Sequence, residues 1–202
     1  MDILKFKFLF VILIIVIQCS ANIITTINQI EKRTEFIDHS LSSIKILEYK
    51  DIDFTQYDNI LPHIESTLFM GLATVNLKQY IYKDETIKVD IVLEGRIAVV
   101  NAQYYYQDKQ PFYIFQKKSH FTKEHVKTNR IEYNKYYIQN NKLIRWIHNN
   151  KIQAVDTTKF LLEEKRVLRD ANIYLNINSI NTNNYIQDNN TQNRYFLEKK
   201  LK

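Results

Sequence analysis

Between residues 66 and 147 the chain runs through LFMGLATVNL, YIYKDETIKVDIVL, RIAVVNAQYYY, PFYIFQKKSHF, IEYNKYYIQ and KLIRWI. These segments are rich in β-branched and aromatic residues, and most are separated by short polar breaks such as Glu94-Gly95, Asp108-Lys109 and Asn140-Asn141. Breaks this short join neighbouring strands antiparallel, because a parallel return needs a crossover of a dozen residues or more. The pattern predicts an antiparallel meander. The polar stretch 118–129 is longer and reads as a loop. With two glycines and two prolines in 202 residues, the turns fall to Asn and Asp, which tolerate left-handed backbone better than other side chains.

Helices are predicted on either side of this region. Ile23, Ile27, Ile30, Thr34, Ile37, Leu41 and Ile44 recur at steps of four and three, so a helix over 22–47 has one apolar stripe. That stripe suits a coiled coil or a helix laid on a sheet, and the sheet is the favoured partner. Residues 48–65 lose the period and read as a connector. Over 156–175, Phe160, Leu161, Val167, Leu168, Ala171 and Tyr174 mark a second amphipathic helix, with Asp156 or Thr157 placed to cap it. The expected fold class is α+β: an antiparallel β-meander sheet of five to seven strands, flanked by an N-terminal and a C-terminal helix. Apolar residues occur on both faces of the predicted strands. Both helices are expected on one face, leaving the other partly open to a partner.

The start of the chain, MDILKFKFLFVILIIVIQCSA, has the order of a secretory signal: Lys5 and Lys7, an apolar run over 8–17, then small residues. That run is too short to span a bilayer, which takes about 20 residues. Residues 1–21 are therefore expected to act as a signal peptide, 22–176 as one α+β domain, and the Asn-rich 177–202 as a flexible tail. Cleavage after Ala21 gives a periplasmic or secreted protein. The alternative is a lipoprotein signal with lipidation at Cys19, which gives a protein anchored at the bacterial envelope. Cys19 is the only cysteine, so the mature core stands without a disulfide.

The segment NKYYIQNNKLIRWIHNNK over 134–151 reads as a hairpin with Asn140-Asn141 at the centre of its turn. An unbroken register then pairs Tyr137 with Ile144, Tyr136 with Arg145 and Lys135 with Trp146. Opposed residues share a face. Lys135, Tyr137, Lys142, Ile144 and Trp146 would thus form one aromatic, basic surface, with cations lying over rings. The order of features and the run Tyr136-Tyr137-Ile138, Asn140-Asn141-Lys142-Leu143-Ile144-Arg145-Trp146 resemble a group of small exported bacterial proteins of unknown function. Those proteins carry a hairpin of the type YYF-x-NGKLIRW, with a paired upstream segment like Tyr104–Lys118 here. Asn141 stands in place of the usual glycine and Ile138 in place of the aromatic. The resemblance implies no activity.

Chemistry-bearing motifs are sparse. His120 and His125 are five apart in SHFTKEH, which is wrong for two metal ligands on one helix face. They read as loop histidines, and no metal or cofactor is expected. Gly71 and Gly95 are too isolated for a phosphate-cradling loop, and no serine sits in a nucleophile elbow. Asp90 and Glu94 would be held about 13 Å apart along one strand. Glu163 and Glu164 read as a solvated helix flank.

The net charge is +6. Over 117–151 nine Lys and Arg stand against Glu124 and Glu132, a local +7. Outside the cytoplasm this favours an envelope protein or an anionic surface polymer as partner and argues against nucleic acid. The membrane would be touched only through the signal or a lipid anchor. The expectation is a non-catalytic binding module using a sheet face. The alternatives are a hydrolase assembled from distant residues and a structural protein dimerising through the N-terminal helix.

Overall fold

A chain nearly without glycine still has to turn tightly, and it does so at Lys83-Asp84, Asp108-Lys109, Asn140-Asn141 and Asn149-Asn150. All eight residues have φ between 47° and 64°. Positive φ at both central positions marks the type I′ turn, whose twist matches that of the strands it joins. Left-handed backbone costs a side-chain-bearing residue about 1–2 kcal/mol, and lysine has none of the local hydrogen bonding that eases Asn and Asp into it. Replacing Lys109 by glycine should therefore raise stability by about 1 kcal/mol, after allowing for the greater freedom glycine has when unfolded. A higher urea midpoint at unchanged slope is the expected readout, and Lys135→Gly, inside a strand, should lower it.

The computed structural model describes residues 22–41, 44–50, 74–95, 98–121, 127–177 and 187–188. The expected signal over 1–21 with Cys19, the connector beyond residue 50 and most of the Asn-rich segment 177–202 lie outside the described residues. Helix α1 spans 22–39. The strands are β1 (Lys45–Tyr49), β2 (Thr74–Tyr82), β3 (Glu85–Glu94), β4 (Ala98–Gln107), β5 (Gln110–Phe121), β6 (Lys127–Gln139), β7 (Lys142–His148) and β8 (Lys151–Ile152). Helix α2 (Thr158–Leu175) and β9 (Gln187–Asp188) follow. One antiparallel sheet has the order β8-β7-β6-β5-β4-β3-β2-β1-β9, a continuous meander with β9 added beside β1. The fold class is α+β with an open antiparallel sheet, as expected.

Several expectations are corrected. The sheet exceeds five to seven strands because β1 lies where helix and connector were expected, and the two-residue β8 and β9 are too short to show alternation. Helix α1 stops at 39 rather than 47. The Ser40 hydroxyl donates to Phe36 O at 2.8 Å and His39 Nδ1 meets Glu35 O at 2.7 Å, local bonds that compete with helical propagation. YIYKDETIKVDIVL is not one strand, since Lys83-Asp84 turns it between β2 and β3. The break expected over 118–129 is largely strand, β5 running to Phe121 and β6 starting at Lys127. Gln187–Asp188, assigned to the tail, pairs with β1.

The two helices lie on opposite faces of the sheet, not on one. Successive strand residues point to opposite faces. The Tyr136 hydroxyl donates to Glu163 of α2 at 2.5 Å, while that of Tyr137 donates to Glu31 of α1 at 2.7 Å. Likewise Tyr105 reaches Asp38 of α1, and its neighbour Tyr106 reaches the carbonyl of Ala171 in α2. Ile27 and Ile30 pack with Tyr137, so the α1 stripe is covered by the chain's own sheet.

The larger core lies under α2. Phe160, Val167, Ala171 and Tyr174 meet Val89, Ile91, Tyr104, Ile114, Tyr136 and Trp146. Thr157 caps the helix, its Oγ1 accepting from Phe160 N at 3.2 Å. At the other end, buried Gln79 of β2 donates to Leu175 O at 3.2 Å, satisfying one of the carbonyls a helix terminus leaves open. Both ends of α2 are therefore fixed, and with them the side chains it turns toward the sheet.

Candidate functional site

The sheet face beneath α2 is laid out in cross-strand rows. One row is Val89, Tyr104, Ile114, Tyr136 and Trp146; the next is Ile91, Ala102, Gln116, Asn134 and His148; a third is Leu93, Val100, Lys118 and Glu132. Helix α2 covers the first row closely. Beside it, over the second and third, a cleft of about 360 Å³ opens between helix and sheet. Its floor is aliphatic on β3 and β4 but polar on β5, β6 and β7, where Gln116, Lys118, Glu132, Asn134 and His148 line it, and its helical wall carries Lys159, Glu163, Arg166 and Asp170.

Spacings of three and four place Glu163, Arg166 and Asp170 on one helix face. Arg166 Nη2 donates to Glu163 Oε1 at 2.6 Å and Nη1 to Asp170 Oδ2 at 3.1 Å. The same Nη2 lies 3.2 Å from the Tyr136 hydroxyl and 3.3 Å from Gln116 Oε1. Gln116 in turn donates to the Tyr104 hydroxyl at 3.2 Å, and Arg169 donates to Asp170 Oδ1 at 2.9 Å. Burial raises the Asp170 carboxyl above its ordinary value despite the two guanidinium groups. Burial also pushes Glu163 up, but the Arg166 bond and charge and the Tyr136 donor outweigh it, so Glu163 titrates below its ordinary value. Desolvation holds the Tyr136 and Tyr104 hydroxyls protonated far into alkali. The two guanidiniums and two carboxylates offset one another. No buried side-chain polar atom among the described residues lacks a partner. The cluster is a rigid, neutralised wall.

At the cleft's end, Trp146 stacks on Tyr136 with centroids 6.0 Å apart and planes 20° from parallel. Its Nε1 donates to Asn134 Oδ1 at 3.0 Å, and His148 Nδ1 lies 2.9 Å from the same oxygen. An indole N–H only donates, so this atom of Asn134 is the acceptor and His148 carries its proton on Nδ1. Lys159 Nζ sits 5.1 Å from the Trp146 ring centre. At the rim, Arg130 Nη2 meets Glu132 Oε1 at 2.7 Å, and His120 Nε2 meets the same oxygen at 3.1 Å.

A larger groove of about 1160 Å³ runs between α1 and the hairpin tips. Its walls include exposed side chains such as Phe36, 72 % exposed, and Tyr82, 49 % exposed. The smaller cleft is the better-defined site, because its walls are held by hydrogen bonds made before any ligand arrives.

Lys135, Tyr137, Lys142, Ile144 and Trp146 do not share one surface. A register shift between Tyr137 and Ile138 makes Arg145, not Ile144, the partner of Tyr137, and sets Trp146 opposite Tyr136 and Ile147 opposite Lys135. A bulge of this kind moves every later residue to the other face relative to the unbroken register. Tyr137 is 1 % exposed and packs with Ile144 under α1, whereas Trp146 is 4 % exposed and packs under α2. Lys135 lies on the Tyr137 face and Lys142 is exposed beside the turn. The cation over Trp146 is Lys159 of α2 rather than Lys135.

Other readings also change. Glu163 is part of the buried wall rather than a solvated flank, and Glu164 accepts from the Leu143 N–H at 3.3 Å. His120 lies in β5, while His63 and His125 fall outside the described residues. Asp90 accepts from Tyr80 at 2.9 Å and faces Lys88 at 3.5 Å. Arg166, Asp170, Gln116 and Asn134 were not singled out from sequence. The spacing Glu163-Arg166-Asp170 was the one signal that could have found part of the set.

Among the described residues no three His, Cys, Asp or Glu side chains converge as metal ligands, and no helix is long and apolar enough to cross a membrane. No protein-family model matches the chain, and neither does any curated protein or solved structure.

Proposed function

We propose that the protein is an exported, non-catalytic binding module that holds a small ligand in the cleft between α2 and the sheet. The observation that carries this reading is the cleft itself: a floor that passes from aliphatic on β3 and β4 to polar on β5 to β7, beside a wall whose charged groups already satisfy one another. Its size falls within the range of about 300–1,000 Å³ usual for the seats of small ligands. A catalytic reading would need a base or nucleophile with capacity to spare. Glu163 is committed to Arg166 and Tyr136, and the Tyr136 hydroxyl stays protonated.

Helices on both faces favour a cleft ligand over a protein or polymer spread across an open sheet. Export rests on the leader at 1–21 and accords with the resemblance to small exported proteins. The only tryptophan in the chain, Trp146, lines the cleft and so reports on its occupancy. Titrating the mature chain with fractionated small-molecule extracts should give a saturable change in Trp146 emission with at least one fraction. Indifference to fractions of every polarity would count against the reading.

A further inference from the structure

We propose that residues 194–202 of the same chain dock in the larger groove between α1 and the hairpin tips, with Tyr195, Phe196 and Leu197 covering its apolar wall.

The groove follows one flank of α1. Gln29, Arg33, Phe36 and Ser40 recur at steps of four and three beside the stripe that α1 buries on the sheet, and all four line the groove. Phe36 is largely exposed there, and Tyr82 at the end of β2 is half-exposed. Ile44, Ile87, Pro111 and Phe112, each partly buried, continue the apolar wall. Arg33 holds its guanidinium 5.4 Å from the centre of the Phe112 ring. Water over a continuous hydrocarbon surface is unfavourable, and such a surface marks a place where another apolar segment packs.

The occupant follows from the direction of β9. That strand is antiparallel to β1, with Gln187 opposite Glu48 and Asp188 opposite Leu47, so the chain leaving Asp188 heads toward Lys45. Lys45 pairs with Ile81, next to Tyr82, and Ile44 just before it lines the groove. The chain is thus delivered to the β1–β2 end of the groove. Five polar residues, Asn189 to Asn193, come first and reach up to about 17 Å, enough to pass Ile44 about 10 Å away. The groove then crosses from β2 to β6, four strand spacings or about 19 Å. Residues 194–202 span about 14 Å as a helix and about 30 Å extended, so the groove's length falls within their reach.

The composition of this segment suits the wall. The apolar side chains after Asp188 are Tyr195, Phe196, Leu197 and Leu201, three of them consecutive. A tether this short holds them at a local concentration in the millimolar range, which favours them over a second copy of the chain. Charge does not drive the contact. Arg194, Lys199, Lys200 and Lys202 against Glu198 give the segment +3, while the groove lining has Lys32 and Arg33 against Asp108, or +1. Like signs repel, so docking rests on apolar burial, and salt should strengthen it by screening.

The test places one spin label on the segment. In the protein carrying Cys19→Ser, Lys200→Cys is the only cysteine and takes a nitroxide. The 1H–15N spectrum should then lose intensity at the amides of Phe36, Tyr82 and Ile87 and keep it at Leu93, Val100 and Ser119, at the far end of the strands. Replacing Tyr195, Phe196 and Leu197 together by serine should abolish that loss without moving the α2 amides, and added salt should deepen it. A loss spread evenly over the surface, one untouched by the three serines, or one that fades with salt would overturn the proposal. So would an equal loss in unlabelled 15N protein mixed with spin-labelled 14N protein, since the occupant would then be a second copy.

Discussion

Arg166→Met should destabilise the protein by about 3 kcal/mol, because it strips the shared cation from Glu163 and Asp170 and leaves two carboxylates under α2. Breaking a buried pair by removing one partner typically costs 3–5 kcal/mol. The lower end applies here, since the Arg166 side chain keeps 20 % of its exposure and Asp170 retains Arg169. Urea unfolding should show a reduced midpoint at unchanged slope.

The loss should depend on pH with a definite sign. Glu163 titrates below its ordinary 4.5 in the folded protein, so its contribution is present above that pH and fades as the pH falls below it. Asp170 is raised, so it adds stability only in acid and loses it as the pH rises through its folded value. In the variant, Glu163 keeps its burial and loses its cation, so it protonates more readily when folded. The gap between the two proteins should therefore narrow below about pH 4.5. A gap that is constant with pH would mean that Arg166 acts through packing alone. Glu163→Gln combined with Arg166→Met should cost less than the two singles added, since the pair acts as one network.

On the opposite face, Asp38→Leu should cost more than Lys88→Met, although the two residues are partners in one ion pair. Lys88 Nζ lies 2.8 Å from Asp38 Oδ1 and 3.5 Å from Asp90 Oδ1, with the Tyr105 and Tyr80 rings at 5.0 and 5.6 Å. The Lys88 side chain is 4 % exposed and that of Asp38 42 %. Removing the Asp38 carboxylate leaves a desolvated cation with only the longer Asp90 contact and two ring faces, whereas removing the lysine leaves carboxylates that water can reach. About 2–3 kcal/mol is expected for Asp38→Leu and about 1 kcal/mol for Lys88→Met. Asp38 also accepts from Tyr105, so its loss removes a second tie between α1 and the sheet. Hydrogen exchange should show α1 amides losing protection in Asp38→Leu while those of α2 keep theirs. Equal costs for the two substitutions would contradict the burial asymmetry on which the argument rests.

Much of the fold was legible because it depends on local periodicity and short breaks. The α1 stripe, the Thr157 cap and the turns at Asp108-Lys109 and Asn140-Asn141 each show in a few neighbouring residues. Lys83-Asp84 was missed because no proline or glycine punctuates it as Pro111 does the Asp108-Lys109 break, and the flanking YIY and ETIKVDIVL read as one strand. The faces of the β6–β7 hairpin were misassigned by a single bulge, which cannot be seen from alternation alone and reverses every residue beyond it. Choosing which helix covers which face requires knowing that Tyr136 and Tyr137 point apart, and that follows only once the register is fixed.

The candidate site was almost illegible for a different reason. Its floor comes from β3 and β4, its polar rows from β5, β6 and β7, and its wall from α2. Gln116, Asn134 and Arg166 are ordinary residues in ordinary segments until the meander sets them side by side. Part of the charge excess over 117–151, Lys118 and Arg130, lines the cleft, while Lys159 lies beyond that segment in the helix.

The most direct test of the account is the amide and indole 1H–15N spectrum of the protein during titration with an extract fraction that changes Trp146 emission. The single indole resonance belongs to Trp146. It should shift together with the amides of Val100, Ala102 and Lys159, while those of Ile30, Tyr113 and Tyr137 on the α1 face hold still. Shifts confined to the α1 face, or an indole resonance that does not move at saturation, would contradict the assignment of the α2 cleft as the binding site.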